Sequence, residues 1–277
     1  MRRHRKLISK RRYTVPFAIW IVAGTVIPIL TIAYYGITNR NGAFTFENIT
    51  AMFNSQHLEA LAMSLLLSVV STVACLVLAF PMALILRESR FGKQGFMIFV
   101  FILPMWMNFL LRTMAWQVLL ERQGVINSVL TSIGLNRQEM MGTPGAVVLG
   151  MVYDFLPFMV LPIYNVVSKI DNRLIEAAYD LGAGKFYVFR RVIFPLSIPG
   201  IASGVTMVFI PALTTFVISN MLGGGKVNLI GNIIEQEFTV NSNWYLGSGL
   251  SLVMMVFIIV SMLIVQKFGG GEEDHLL

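Results

Sequence analysis

Two ionisable side chains lie inside long apolar stretches, where a charge is out of place unless it has work or a partner. Asp154 follows Tyr153 in one stretch, and Arg112 lies four residues after Asn108 in another. At mid-bilayer each would cost roughly 2.5–3.5 kcal/mol on insertion scales. A carboxylate beside an aromatic ring suits an ammonium ligand through charge and cation–π attraction. The same residues could instead pair with each other across two helices, or Arg112 could snorkel alone. The spacing favours Asp154 as a lining residue of a cation pathway, with Tyr153, Trp106, Asn108, Tyr164 and Asn220 as further polar or aromatic candidates.

Other chemistries lack parts. The Gly-Lys pairs at 92–93, 184–185 and 225–226 have neither the upstream glycine nor the following hydroxyl residue of a phosphate-binding loop. Gly223-Gly224-Gly225 follows no strand and reads as a helix stop. The three histidines (His4, His57, His275) share no ligand spacing, and Cys75 is the one cysteine. No catalytic constellation, metal site or cofactor is expected. Glu235 and Glu237 fit a solvated face or a docking contact.

The elements that must position these residues are set by composition. Of 277 residues, 56% are hydrophobic and 13% charged, against about 25% charged in a soluble domain. The apolar residues gather in blocks long enough to cross about 30 Å of hydrocarbon as helices. An all-α polytopic membrane protein is expected, with six spans at 15–36, 61–86, 95–120, 144–168, 197–222 and 247–266. Pro28, Pro81, Pro104, Pro157, Pro162 and Pro211 fall within blocks and predict kinks rather than breaks.

The net charge of +7 would raise nucleic acid as a partner of a soluble protein, but its distribution points to membrane orientation instead. Sixteen of the 21 Lys and Arg fall in the N-terminal segment, the 2–3 and 4–5 loops and the tail, against four on the opposite side. The positive-inside rule then places both termini in the cytoplasm. The organisation is a basic segment 1–14, a membrane domain 15–266 and a tail 267–277. The first span reads as a retained signal anchor, since no small-residue cleavage site follows it. The arginines ahead of it could also touch lipid headgroups.

The 4–5 loop, 169–195, carries a pattern of its own. Asp171 can cap a helix on which Leu174, Ala177, Ala178 and Leu181 form an apolar stripe. Gly182 stands where a helix end takes a left-handed residue. Phe186, Phe189 and Ile193 continue a second short helix, with Pro195 opening the next span. So short a hairpin must bury its stripe on its own span ends or in a partner's groove.

The run Glu176-Ala177-Ala178-x-x-x-Gly182, followed by Val192-x-Phe194-Pro195, resembles the EAA signature of ABC importer permeases. Val192 and Phe194 replace the usual isoleucine and leucine. Leu103-Pro104-Met105-Trp106-Met107-Asn108, Leu156 to Tyr164 and Asn228-Leu229-Ile230-Gly231-Asn232 are similar to the PotB-like permeases of spermidine/putrescine importers. The resemblance implies the type I importer (MetI-like) permease fold and a bacterial cytoplasmic-membrane location. It also implies a second permease subunit (PotC-like), two copies of an ATP-binding subunit and an extracytoplasmic substrate-binding protein. Under it, Glu176, Ala177, Ala178 and Gly182 seat the loop on the ATPase.

Overall fold

A computed structural model describes residues 15–89 and 103–268. The basic N-terminal cluster, Arg90, Lys93, the first part of the expected third span and the end of the tail lie outside the described residues. Among the described residues the only β pairing is an isolated bridge between Thr38 and Phe44; the rest of the regular structure is helical.

Among the described residues four helices are long and apolar enough to cross a membrane: α1 (Val15–Gly36), α2 (Ser55–Glu88), α5 (Pro144–Val167) and α11 (Trp244–Phe268). Between α2 and α5 come α3 (Phe109–Leu120) and α4 (Val125–Ser132). Between α5 and α11 come α6 (Asn172–Asp180), α7 (Lys185–Leu196), α8 (Ile198–Thr214), α9 (Val217–Leu222) and α10 (Ile230–Thr239). The pair α7 and α8 also passes as one span, bent by 64°. Helix α2, at about 1.5 Å per residue, is longer than the hydrocarbon is thick.

Helices run on through Pro81, Pro157, Pro162 and Pro211 as expected, whereas Pro104 lies in a 3-10 turn ahead of a break. The fifth span begins at Ile198, after the bend at Ser197 and one residue from its expected start. It departs from the sequence reading further along: it stops at Thr215, which is extended (ψ 140°), and restarts as α9. The third expected span is interrupted too, with a 3-10 turn at Leu103–Trp106 separated from α3 by Met107 and Asn108.

The chain divides into two compact units. One takes the chain up to Leu58 together with Ile234–Phe257; the other takes Glu59–Ile233 and the chain from Ile258 onward. In the first unit Asn48 Nδ2 donates to the carbonyls of Thr38 (2.9 Å) and Gly36 (3.3 Å), which fixes the turn after α1. Tyr35 meets Tyr245 edge-on at 5.3 Å.

The second unit is centred on α5 and α8. Gly200 and Gly204, four residues apart, face α5 at very close range. A Cβ on Gly200 would lie 2.9 Å from the Pro162 carbonyl oxygen, and one on Gly204 2.7 Å from Met159 Sδ. Small residues at this spacing let two membrane helices approach backbone to backbone. Cys75 is fully buried in the same core, the place of a small apolar filler.

Candidate functional site: the exposed hairpin and the interrupted spans

The hairpin of α6 and α7 is built by its end residues. Asp171 Oδ1 accepts from the Arg173 amide at 2.9 Å and starts α6. At the other end Gly182 takes φ +82°. Its amide donates to Tyr179 O (2.8 Å) and that of Ala183 to Ala178 O (3.0 Å). That bond pair is a Schellman closure, which needs a residue tolerant of the left-handed region. Ala178 and Gly182 therefore shape the helix end, a role their spacing encodes.

The apolar stripe is not folded back onto the second unit. Leu174 is 52% exposed and Leu181 89%, with Tyr179, Phe186 and Tyr187 exposed beside them. Glu176, Ala177 and Pro195 are exposed, and Ala178 is half-buried. Of the two burial sites the sequence left open, the chain's own span ends are not used by this stripe. Contiguous apolar surface of this kind marks a contact site. The inner side of the hairpin is anchored: Phe189 meets Phe80 edge-on at 5.5 Å and Val188 is buried.

Within the membrane domain, Asp154 differs from the sequence reading. It is 1% exposed, and Arg112 Nε lies 3.4 Å from its Oδ1. Thr113 donates its hydroxyl to the other oxygen at 3.3 Å. The carboxylate is thus engaged between α3 and α5, not presented to a passing cation. The reason is that two opposite charges in apolar surroundings are far more stable together than either alone. Tyr164 departs as well, being buried and about 15 Å from Asp154 along α5 at 1.5 Å per residue.

The other candidates keep accessible positions. Trp106 is 74% exposed, and Tyr153 is 39% exposed with its ring edge-on to Trp116 at 5.4 Å. Asn108 is exposed and caps α3, its Oδ1 accepting from the Leu110 amide at 2.8 Å. Asn220 is exposed on α9, which packs against α3 and α5.

Sequence reasoning missed the residue that stabilises the interrupted fifth span. Asn232, 1% exposed, sends Nδ2 to the Phe216 carbonyl (3.1 Å) and to Asn220 Oδ1 (2.5 Å). Its Oδ1 accepts from the Ser219 hydroxyl (2.5 Å) and the Leu229 amide (3.0 Å). Irregular backbone at membrane depth survives only where such partners meet its polar groups. An asparagine beside Leu229, Ile230, Ile233 and Ile234 was the available signal.

Residues 49–269 match the family described as the binding-protein-dependent transport system inner membrane component. The chain belongs to this family. Its relatives include the spermidine/putrescine transport system permease protein PotB of Haemophilus influenzae, 36% identical over 91% of this chain and 92% of that one. The PotB of Escherichia coli is 35% identical over 88% of this chain and 92% of its own. Among solved structures, a bacterial alginate ABC transporter in complex with an alginate-pentasaccharide-bound periplasmic protein contains a similar chain. It shares 17% identity and a TM-score of 0.79, covering 97% of both chains, a likeness of fold.

As a family member the chain is a multi-pass inner-membrane permease subunit with the MetI-like fold, and its spans are those of a transport component. The exposed hairpin and the two interrupted spans are the features of this permease that ask for a mechanism.

Proposed function

We propose that this permease is one of two membrane subunits of an ATP-driven importer for polyamines. Its hairpin, 169–195, docks on a separate ATP-binding subunit, two copies of which drive the complex. A PotC-like second permease completes the pathway, and an extracytoplasmic binding protein delivers the solute. Both termini lie in the cytoplasm, consistent with sixteen basic residues on that side.

The observation that carries this reading is the hairpin. A Schellman-closed helix with Leu174 and Leu181 turned outward has its apolar stripe available to a partner's groove. The substrate class rests on likeness to permeases named for spermidine and putrescine.

ATP binding brings the ATPases together, and their movement carries the hairpins and rocks the two permeases between inward- and outward-facing states. This works because ATP binds the two states with different affinity. Glu176, Ala177, Ala178 and Gly182 form the docking helix; Leu174 and Leu181 are its apolar anchors, and Pro195 stiffens the exit. Trp106, Asn108, Tyr153 and Asn220 line the solute's path near the two interruptions, a placement typical of transporter sites.

The test is reconstitution of the complete complex in proteoliposomes. Spermidine or putrescine on the binding protein should stimulate ATP hydrolysis and accumulate inside. Stimulation by an unrelated solute, with none by either polyamine, would overturn the substrate assignment.

A further inference from the structure

The inner end of α2 holds both arms of the hairpin, through two different chemistries. Arg87, in the last turn of α2, donates from Nη2 to the Ile170 carbonyl at 2.9 Å and to Asn172 Oδ1 at 2.8 Å. Ile170 closes the turn after α5, and Asn172 opens α6. The guanidinium thus sits by the C-terminal ends of α2 and α5, where both helix dipoles place partial negative charge. Two helical turns earlier, Phe80 is buried and packs on the other arm. Its ring is 5.5 Å from Phe189, edge-on, and 5.9 Å from Phe194.

We propose that Arg87 and Phe80 are positioning residues that transmit hairpin displacement to α2, so that α2 moves with α5 and α8 in the transport cycle. This rests on the docking role of the hairpin given above and adds the route by which force leaves it. The hairpin is continuous in sequence with α5 on one side and α8 on the other, and those two helices are dragged directly. Helix α2 is 83 residues from Ile170 along the chain, so only non-covalent contacts can carry it. The charge-assisted bonds fix α6 in direction, and the aromatic cluster fixes α7 by shape. Losing either lets the hairpin shift while α2 lags.

The readout is solute transported per ATP hydrolysed, measured on the complete complex in proteoliposomes with spermidine on its binding protein. Arg87→Ala and Phe80→Ala should insert and retain the ATPase, while that ratio falls about fivefold or more, the lower range of typical coupling. Arg87→Lys, which keeps the charge but loses the planar fork, should fall between wild type and Arg87→Ala. Asn172→Ala removes one acceptor and leaves the guanidinium in place, so it gives the same reading if Arg87→Ala fails to accumulate. A wild-type ratio in Asn172→Ala and in whichever Arg87 and Phe80 variants assemble would overturn the proposal. Leu174→Asp, run alongside, reads ATPase retention alone; its loss there beside unchanged ratios in the other variants sinks this inference and leaves the docking reading standing.

Discussion

Arg112 Nε and Asp154 Oδ1 face each other at 3.4 Å across α3 and α5, both side chains more than nine-tenths buried. Arg112 Nε and Nη1 and Asp154 Oδ1 make no hydrogen bond there. The pair is therefore held by charge more than by directed bonds, and removing one member strands the other in apolar surroundings.

Asp154→Asn should lower the stability of the purified complex by about 3–5 kcal/mol, the usual effect of orphaning a buried charge. The double replacement Arg112→Met with Asp154→Leu should recover most of that loss. Thermal unfolding in detergent measures both, and a single variant that melts like wild type would refute this account of the pair.

The α5–α8 contact predicts an order among glycine variants. Gly200→Ala meets a backbone oxygen at 2.9 Å, whereas Gly204→Ala first meets the movable sulfur of Met159. Both overpack the contact, by about 1–3 kcal/mol, with Gly200→Ala the worse. Comparing their yields of folded protein and unfolding temperatures tests the order; equal effects would mean the helices can part freely.

Replacing Leu181 by Asp should abolish co-purification of the ATPase while leaving membrane insertion intact, because its side chain is 89% exposed and holds up no core. Gly182→Ala should weaken the same association more mildly. It forces a Cβ into φ +82°, a strain of about 1–2 kcal/mol. Pull-down from detergent extracts reads both, and undiminished ATPase recovery with Leu181→Asp would count against docking through this face.

Asn232→Ala leaves the Leu229 amide without its acceptor and takes one donor from the Phe216 carbonyl, which keeps the Asn220 amide and the Ser219 hydroxyl. An orphaned buried donor of this kind costs about 1–3 kcal/mol. Backbone hydrogen exchange across 216–220 and at Leu229 should accelerate well beyond that of α5. Unchanged protection would show that the interruption is stable without its asparagine.

Much of this architecture is legible in the residues themselves. Asp171 and Gly182 announce both ends of α6 because capping is local chemistry. Long apolar blocks set the spans for the same reason. Legibility fails where stability comes from distant partners. No proline or glycine marks the interruption at Thr215 and Phe216; its support, Asn232, lies sixteen residues beyond Phe216. The Gly200-x-x-x-Gly204 spacing was visible, but its target on α5 was not. Arg112 and Asp154 could be read as partners or as separate devices from sequence, and only their 3.4 Å approach decides between them. Arg87 shows only its charge in the sequence, because its partners are a main-chain oxygen and an amide far along the chain.

The bend at Ser197 has a mechanical corollary. Its hydroxyl is fully buried and tied to the Ile193 carbonyl at 2.6 Å, its amide donates back to the Ile193 and Phe194 carbonyls, and its own carbonyl accepts from the Ile201 amide at 2.9 Å. An elbow stitched on both sides of its corner turns as one rigid piece, like a crank. A tilt imposed on its short hairpin arm then emerges as a sweep of the long arm, magnified by the ratio of their lengths.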